Sequence, residues 1–134
     1  RKLPVCLFPG IHVHSYRIRD FVDTSERIWT YNTTQRPSGR CKYDVRRQMM
    51  TRSIVFNRTF MRNGQVITGE MRGQFNTRLT NIMYVFSQGL LLSTEALLYK
   101  ASDSSCAVIG AQPMLQRMVF CFTHFLASFI VALV

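Results

Sequence analysis

Between residues 28 and 109 the chain breaks into seven short runs of β-branched and aromatic residues, most of them separated by turn signals or a polar connection. Few architectures accept such a pattern. The runs fall at 28–34, 41–48, 53–61, 65–75, 81–86, 90–99 and 106–109. Pro37-Ser38-Gly39 separates the first pair. Asn63-Gly64 is the strongest hairpin signal, because both central residues of a type I′ turn need positive φ. Gln88-Gly89 marks a further turn. Short connections place consecutive strands antiparallel, so the pattern predicts an all-β, up-and-down antiparallel barrel. A closed barrel of about eight strands has room for one small ligand. The run at 28–34 holds the only tryptophan, and alternation puts Trp29, Tyr31 and Thr33 on one face.

The flanks read differently. Pro4, Pro9 and Gly10 interrupt residues 1–19, which are expected to be irregular. A short helix is expected within 19–27, with Phe21 and Val22 facing inward. The barrel domain is expected over 20–109, incomplete at about seven strands. Residues 110–134 form a divergent apolar segment, because alternation stops after Ile109. The run 118–134 is a little short of the roughly 20 residues that span a bilayer. It reads as a membrane tail, a buried strand plus a helix, or sequence foreign to the domain, and the last is the favoured reading.

Lys and Arg number 17 against 7 Asp and Glu, a net charge of +10 that attracts acidic partners. The arginines form no compact run, and basic and aromatic residues do not interleave as in a nucleic-acid module, so no nucleic-acid partner is expected. Cys6, Cys41, Cys106 and Cys121 make no Cys-x-x-Cys pair, which disfavours zinc and suits disulfides in an oxidising compartment. Asn32-Thr33-Thr34 and Asn57-Arg58-Thr59 are glycosylation sequons, so Asn32 and Asn57 are candidate carriers. Together these features predict an extracellular protein, although residues 1–20 carry no signal-peptide pattern. His12 and His14 lack a third metal ligand nearby. No nucleophile elbow, zinc-protease motif or phosphate loop occurs, so neither catalysis nor a cofactor is expected.

Several ordered stretches carry a resemblance. They are Phe21-Val22-Asp23-Thr24-Ser25-Glu26-Arg27-Ile28-Trp29-Thr30-Tyr31-Asn32-Thr33-Thr34, then Cys41 with Asp44-Val45, and Phe56-Asn57-Arg58-Thr59. Met71-Arg72-Gly73-Gln74-Phe75, Glu95-Ala96-Leu97-Leu98-Tyr99 and Asp103-Ser104-Ser105-Cys106-Ala107-Val108 follow. Their order resembles the salivary lipocalins of ticks, the group that includes the tick histamine-binding proteins. The resemblance implies an eight-stranded barrel with a helix packed outside it, secretion in saliva and a monomer. It also implies capture of histamine, another amine or a lipid mediator, which blunts host defence. Two disulfides are implied: Cys41 with a cysteine near the C-terminus, and Cys106 with one in the next hairpin, for which Cys121 is the nearby residue. Cys6 or Cys121 would have to serve Cys41. The family's Cys-Asp and Glu-Leu-aromatic motifs are not matched, since Ala107 follows Cys106 and the apolar segment replaces the later motif.

An ammonium ligand in a barrel needs a carboxylate and an aromatic face. Asp44, Glu70 and Glu95 lie in expected strands, and Glu95 shares parity with Leu97 and Tyr99. The ligand-binding candidates are therefore Trp29, Tyr31, Glu70, Glu95 and Tyr99. Trp29 and Tyr31 serve equally well as a plug closing one barrel end. Phe56, Phe60, Phe75 and Phe86 are assigned to the core. A basic surface binding host proteins or glycans is the alternative function, as is an incomplete product without ligand binding.

Overall fold

A computed structural model of the chain describes residues 16–33, 40–113 and 128–134. One short helix, α1 (Ile18–Val22), precedes eight strands. These are β1 (Ile28–Thr33), β2 (Arg40–Met49), β3 (Ser53–Arg62), β4 (Gln65–Phe75), β5 (Ile82–Ser87), β6 (Leu90–Lys100), β7 (Cys106–Pro113) and β8 (Ser128–Leu133). Each strand pairs antiparallel with the next, and β8 returns to β1, so the sheet closes. Closure removes the two long edges that an open sheet would expose.

Among the described residues the strand count is eight, one more than the sequence pattern suggests. The extra strand comes from the apolar segment: β7 continues past Ile109 to Pro113, and β8 lies wholly within 110–134. Alternation stops near Ile109 because both faces of β7 are covered there. Ala107, Val108, Ile109 and Ala111 are all buried. A strand buried on both faces reads as a continuous apolar run, which periodicity alone cannot tell from a buried helix.

The turns follow their residues. Asn63 and Gly64 have φ of +51° and +76°, and Gln88 and Gly89 have +50° and +80°, as type I′ hairpins require. Inside the barrel, Ile54, Phe56, Phe75, Met83, Val85, Leu97, Ile109 and Ile130 form one core with Ile18 and Phe21 of α1. Gly73 lets the wall pack tightly, because a Cβ there would lie 2.5 Å from the Met83 sulfur.

A five-residue helix is not stable alone, so α1 exists because it is docked. The Ile18 N–H donates to the Thr80 carbonyl at 3.0 Å. The Arg19 guanidinium donates to the carbonyls of Met50 and Thr51, each at 3.3 Å. Docking drives Phe21 into the barrel end, where it is 2% exposed. Among the described residues no helix is long and apolar enough to cross a membrane.

Candidate ligand-binding site

Register carries charge into the barrel. Along β3, Ile54 and Phe56 point inward and are buried, and Arg58 continues that parity. Asp44 of β2 is the direct cross-strand partner of Arg58. The Arg58 Nε donates to Asp44 Oδ1 at 2.9 Å, and Nη2 donates to Oδ2 at 3.0 Å. This is the paired geometry that a planar guanidinium makes best. Nη2 also donates to Glu95 Oε2 at 3.3 Å. β6 is separated from β3 by β4 and β5, so this bond crosses the barrel interior. Ser93 Oγ donates to the same carboxylate oxygen at 3.4 Å. The Arg58 guanidinium carbon lies 5.3 Å from the Phe56 ring centre. One cation is therefore held by two carboxylates and an aromatic ring.

Burial alone would lower the Arg58 pKa, but Asp44 and Glu95 together outweigh it and raise the value above the ordinary arginine range. Arg58 is thus a fixed cation. Lys42, two residues before Asp44, feels the opposite balance. Burial first, and Arg58 second, lower its pKa, while Asp44 and Glu95 pull the other way. At the rim, Arg46 pairs with Asp23 just after α1.

A cavity touches both carboxylates and is walled by Phe21, Phe56 and Met83, with Arg46 at its edge. It offers about 30 Å³ to a water-sized sphere. That admits a water molecule or two, whereas small-molecule sites occupy roughly 300–1,000 Å³.

Lys42 yields a test of this electrostatic picture. Its lowered pKa means that charging Lys42 opposes folding. The penalty is fully present below its folded pKa and fades as pH rises to the unfolded value of 10.5. Lys42→Met is expected to raise the melting temperature at pH 7, with the gain shrinking as pH approaches 10.5. A lower melting temperature at pH 7 would show that attraction to the carboxylates outweighs burial.

Of the three acids singled out in the sequence, Asp44 and Glu95 reach this site, and Glu95 is 6% exposed and faces the interior with Leu97. Trp29 and Tyr31 do not line it. They lie on the outer surface, 38% and 59% exposed, where Trp29 packs on its cross-strand partner Tyr43. The Arg27 guanidinium carbon sits 4.5 Å from the Tyr43 ring centre on that face. The inward face of β1 is instead the Ile28 face, and Ile28 lines the cavity. Glu70 is exposed, in an outer groove of about 440 Å³ beside Phe86 and Gln88. Tyr99 packs edge-on against Tyr16, ring centres 6.0 Å apart. A register shift between Leu97 and Tyr99 breaks the parity that Glu95 and Tyr99 share in sequence. Of the core phenylalanines, Phe56 and Phe75 are buried, whereas Phe60 and Phe86 are half-buried.

Cys41 is exposed and Cys106 is buried, and neither forms a disulfide among the described residues. Their candidate partners Cys6 and Cys121 lie outside the described residues, as do His12, His14 and His124. The Asn57 sequon lies on the half-buried β3, opposite Glu70 of β4. The backbone of Asn32 lies in β1.

Arg58, which joins the two acids, was not among the sequence candidates. Its signal was an arginine at the inward parity of a strand whose neighbours at that parity are Ile54 and Phe56.

No family model matches the chain, and no curated protein sequence matches it. The fold is similar to that in the crystal structure of AM182 in complex with serotonin. The TM-score is 0.63 at 20% sequence identity, covering 97% of this chain and 75% of that one. This is a lipocalin-like barrel. Its closed eight-stranded antiparallel order is that of the lipocalin type.

Proposed function

We propose that this protein is a lipocalin of the tick salivary kind, secreted to sequester a small cationic mediator such as serotonin or histamine from the host. The observation that carries this reading is the convergence of Asp44 and Glu95 on one cation position beside a cavity walled mainly by apolar side chains. An ammonium there would meet two hydrogen-bonding carboxylates and the face of Phe56. Charge-assisted bonds and a cation–π contact are what a protonated amine needs when it leaves water. The ordered sequence motifs and the likeness of the barrel to a serotonin complex support the same class of ligand. The role is capture, not catalysis, with glycans on Asn32 and Asn57 and disulfides through Cys41 and Cys106 formed in the secretory route.

Calorimetric titration with serotonin, histamine and a leukotriene tests the reading. Saturable 1:1 binding of an amine is expected, and Glu95→Gln is expected to weaken it by about tenfold, the equivalent of one charge-assisted hydrogen bond. Absence of saturable amine binding removes the proposal. Saturable leukotriene binding without amine binding would replace it by a lipid carrier.

A further inference from the structure

The site just described is not empty of charge. Its cation position is filled by the protein's own Arg58, and the space beside it holds little more than water. We infer that Arg58 is a resident counter-ion: a chain-borne guanidinium that holds Asp44 and Glu95 in place and that an incoming amine must displace. This rests on the amine-binding reading above and adds to it the residue that sets affinity.

Three features carry the inference. First, the guanidinium makes the contacts that a ligand cation would make: two bonds to Asp44, one to Glu95 and the Phe56 ring. Second, the two carboxylates hold it unequally, with Nη2 shared between them. The Asp44 bonds are 2.9 and 3.0 Å, whereas the Glu95 bond is 3.3 Å, and Ser93 also bonds that oxygen at 3.4 Å. Glu95 is therefore the carboxylate that a second cation can claim first. Third, the cavity abuts both acids and is walled by Phe21 and Met83, so a ligand arriving there meets the two carboxylates that hold the guanidinium. Methionine and the long arginine side chain can both change rotamer to make room.

A site occupied by its own arginine binds ligand only in the fraction of molecules where that arginine has withdrawn. The apparent dissociation constant is the intrinsic one divided by that fraction. Removing Arg58 should remove the competition, leaving one buried and one half-buried carboxylate in need of a cation.

The experiment uses the full chain as wild type, Arg58→Ala, Arg58→Met and Arg58→Lys. The probes are methylguanidinium and serotonin, with uncharged N-acetylserotonin as the control. Arg58→Ala is expected to melt at a lower temperature than wild type and to regain stability saturably with methylguanidinium, to which wild type is indifferent. Arg58→Met is expected to bind serotonin about tenfold or more tightly than wild type, and N-acetylserotonin no better. Binding by Arg58→Met without binding by wild type would support the resident counter-ion while ending native amine capture. Equal affinities in the two proteins would leave amine capture standing and overturn the inference. Silence from both overturns it as well. Should Arg58→Ala fold only with methylguanidinium present, the inference is supported. Should it not fold at all, Arg58→Lys decides: this variant keeps a cation but loses the paired geometry, so it should bind serotonin more tightly than wild type. Unchanged affinity overturns the inference.

Discussion

Asp44→Ala is expected to lower the unfolding free energy by about 3 kcal/mol, measured by urea denaturation at pH 7. Asp44 accepts both of the shorter bonds from Arg58, whose side chain is only 13% exposed. Without Asp44 the guanidinium keeps a single, longer bond to Glu95. Breaking a buried pair by removing one partner leaves an uncompensated charge and costs about 3–5 kcal/mol. The low end applies because Asp44 keeps 25% of its side-chain surface in solvent. Lys42 should respond too. Asp44 raises its pKa, so the loss of Asp44 should depress it further. A loss below about 1 kcal/mol would class the pair with surface salt bridges and place Arg58 in water rather than in the barrel.

Phe21→Ala is expected to cost about 3–5 kcal/mol, the range for truncating a buried phenylalanine. Phe21 is among the largest fully buried side chains, and it joins α1 to a core drawn from β3 through β8. Among the described residues the helix's other anchors are the bond of Ile18 to Thr80, the bonds of Arg19 to the chain at Met50 and Thr51, the pair of Arg46 with Asp23 at its C-cap, and the burial of Ile18. Truncation should also widen the cavity that Phe21 walls, beside the carboxylates. An unchanged slope of stability against urea, with a lower midpoint, would show that the fold persists around the hole. A cost under about 1 kcal/mol would mean that α1 detaches with little loss and does not close the barrel end.

Much of the barrel is readable without coordinates because its signals are local. Asn63, Gly64 and Gly89 adopt positive φ because of the residues they are, Gln88 takes it because a two-residue hairpin requires it, and the strands they join pair as a consequence. Parity likewise links Glu95 to Leu97 over two residues of regular strand. The same rule fails for Tyr99, since one irregularity after Leu97 reverses the facing of everything beyond it. Trp29 and Tyr31 show a second limit. Parity says that they share a face, but not whether that face is inside. The cavity takes the Ile28 side of β1, while Trp29 stacks outward on Tyr43 beneath Arg27 and Tyr31 is exposed.

What the residue order determined by itself is therefore the set of elements: short antiparallel strands, their turns, and a helix that buries Phe21. Only the tertiary structure decided that β8 completes the ring and that Arg58 meets Asp44 and Glu95. The physical reason is range. Turn and strand preferences act over a few neighbouring residues, whereas β2, β3 and β6 bring three charges to one point only after the sheet has curled and closed.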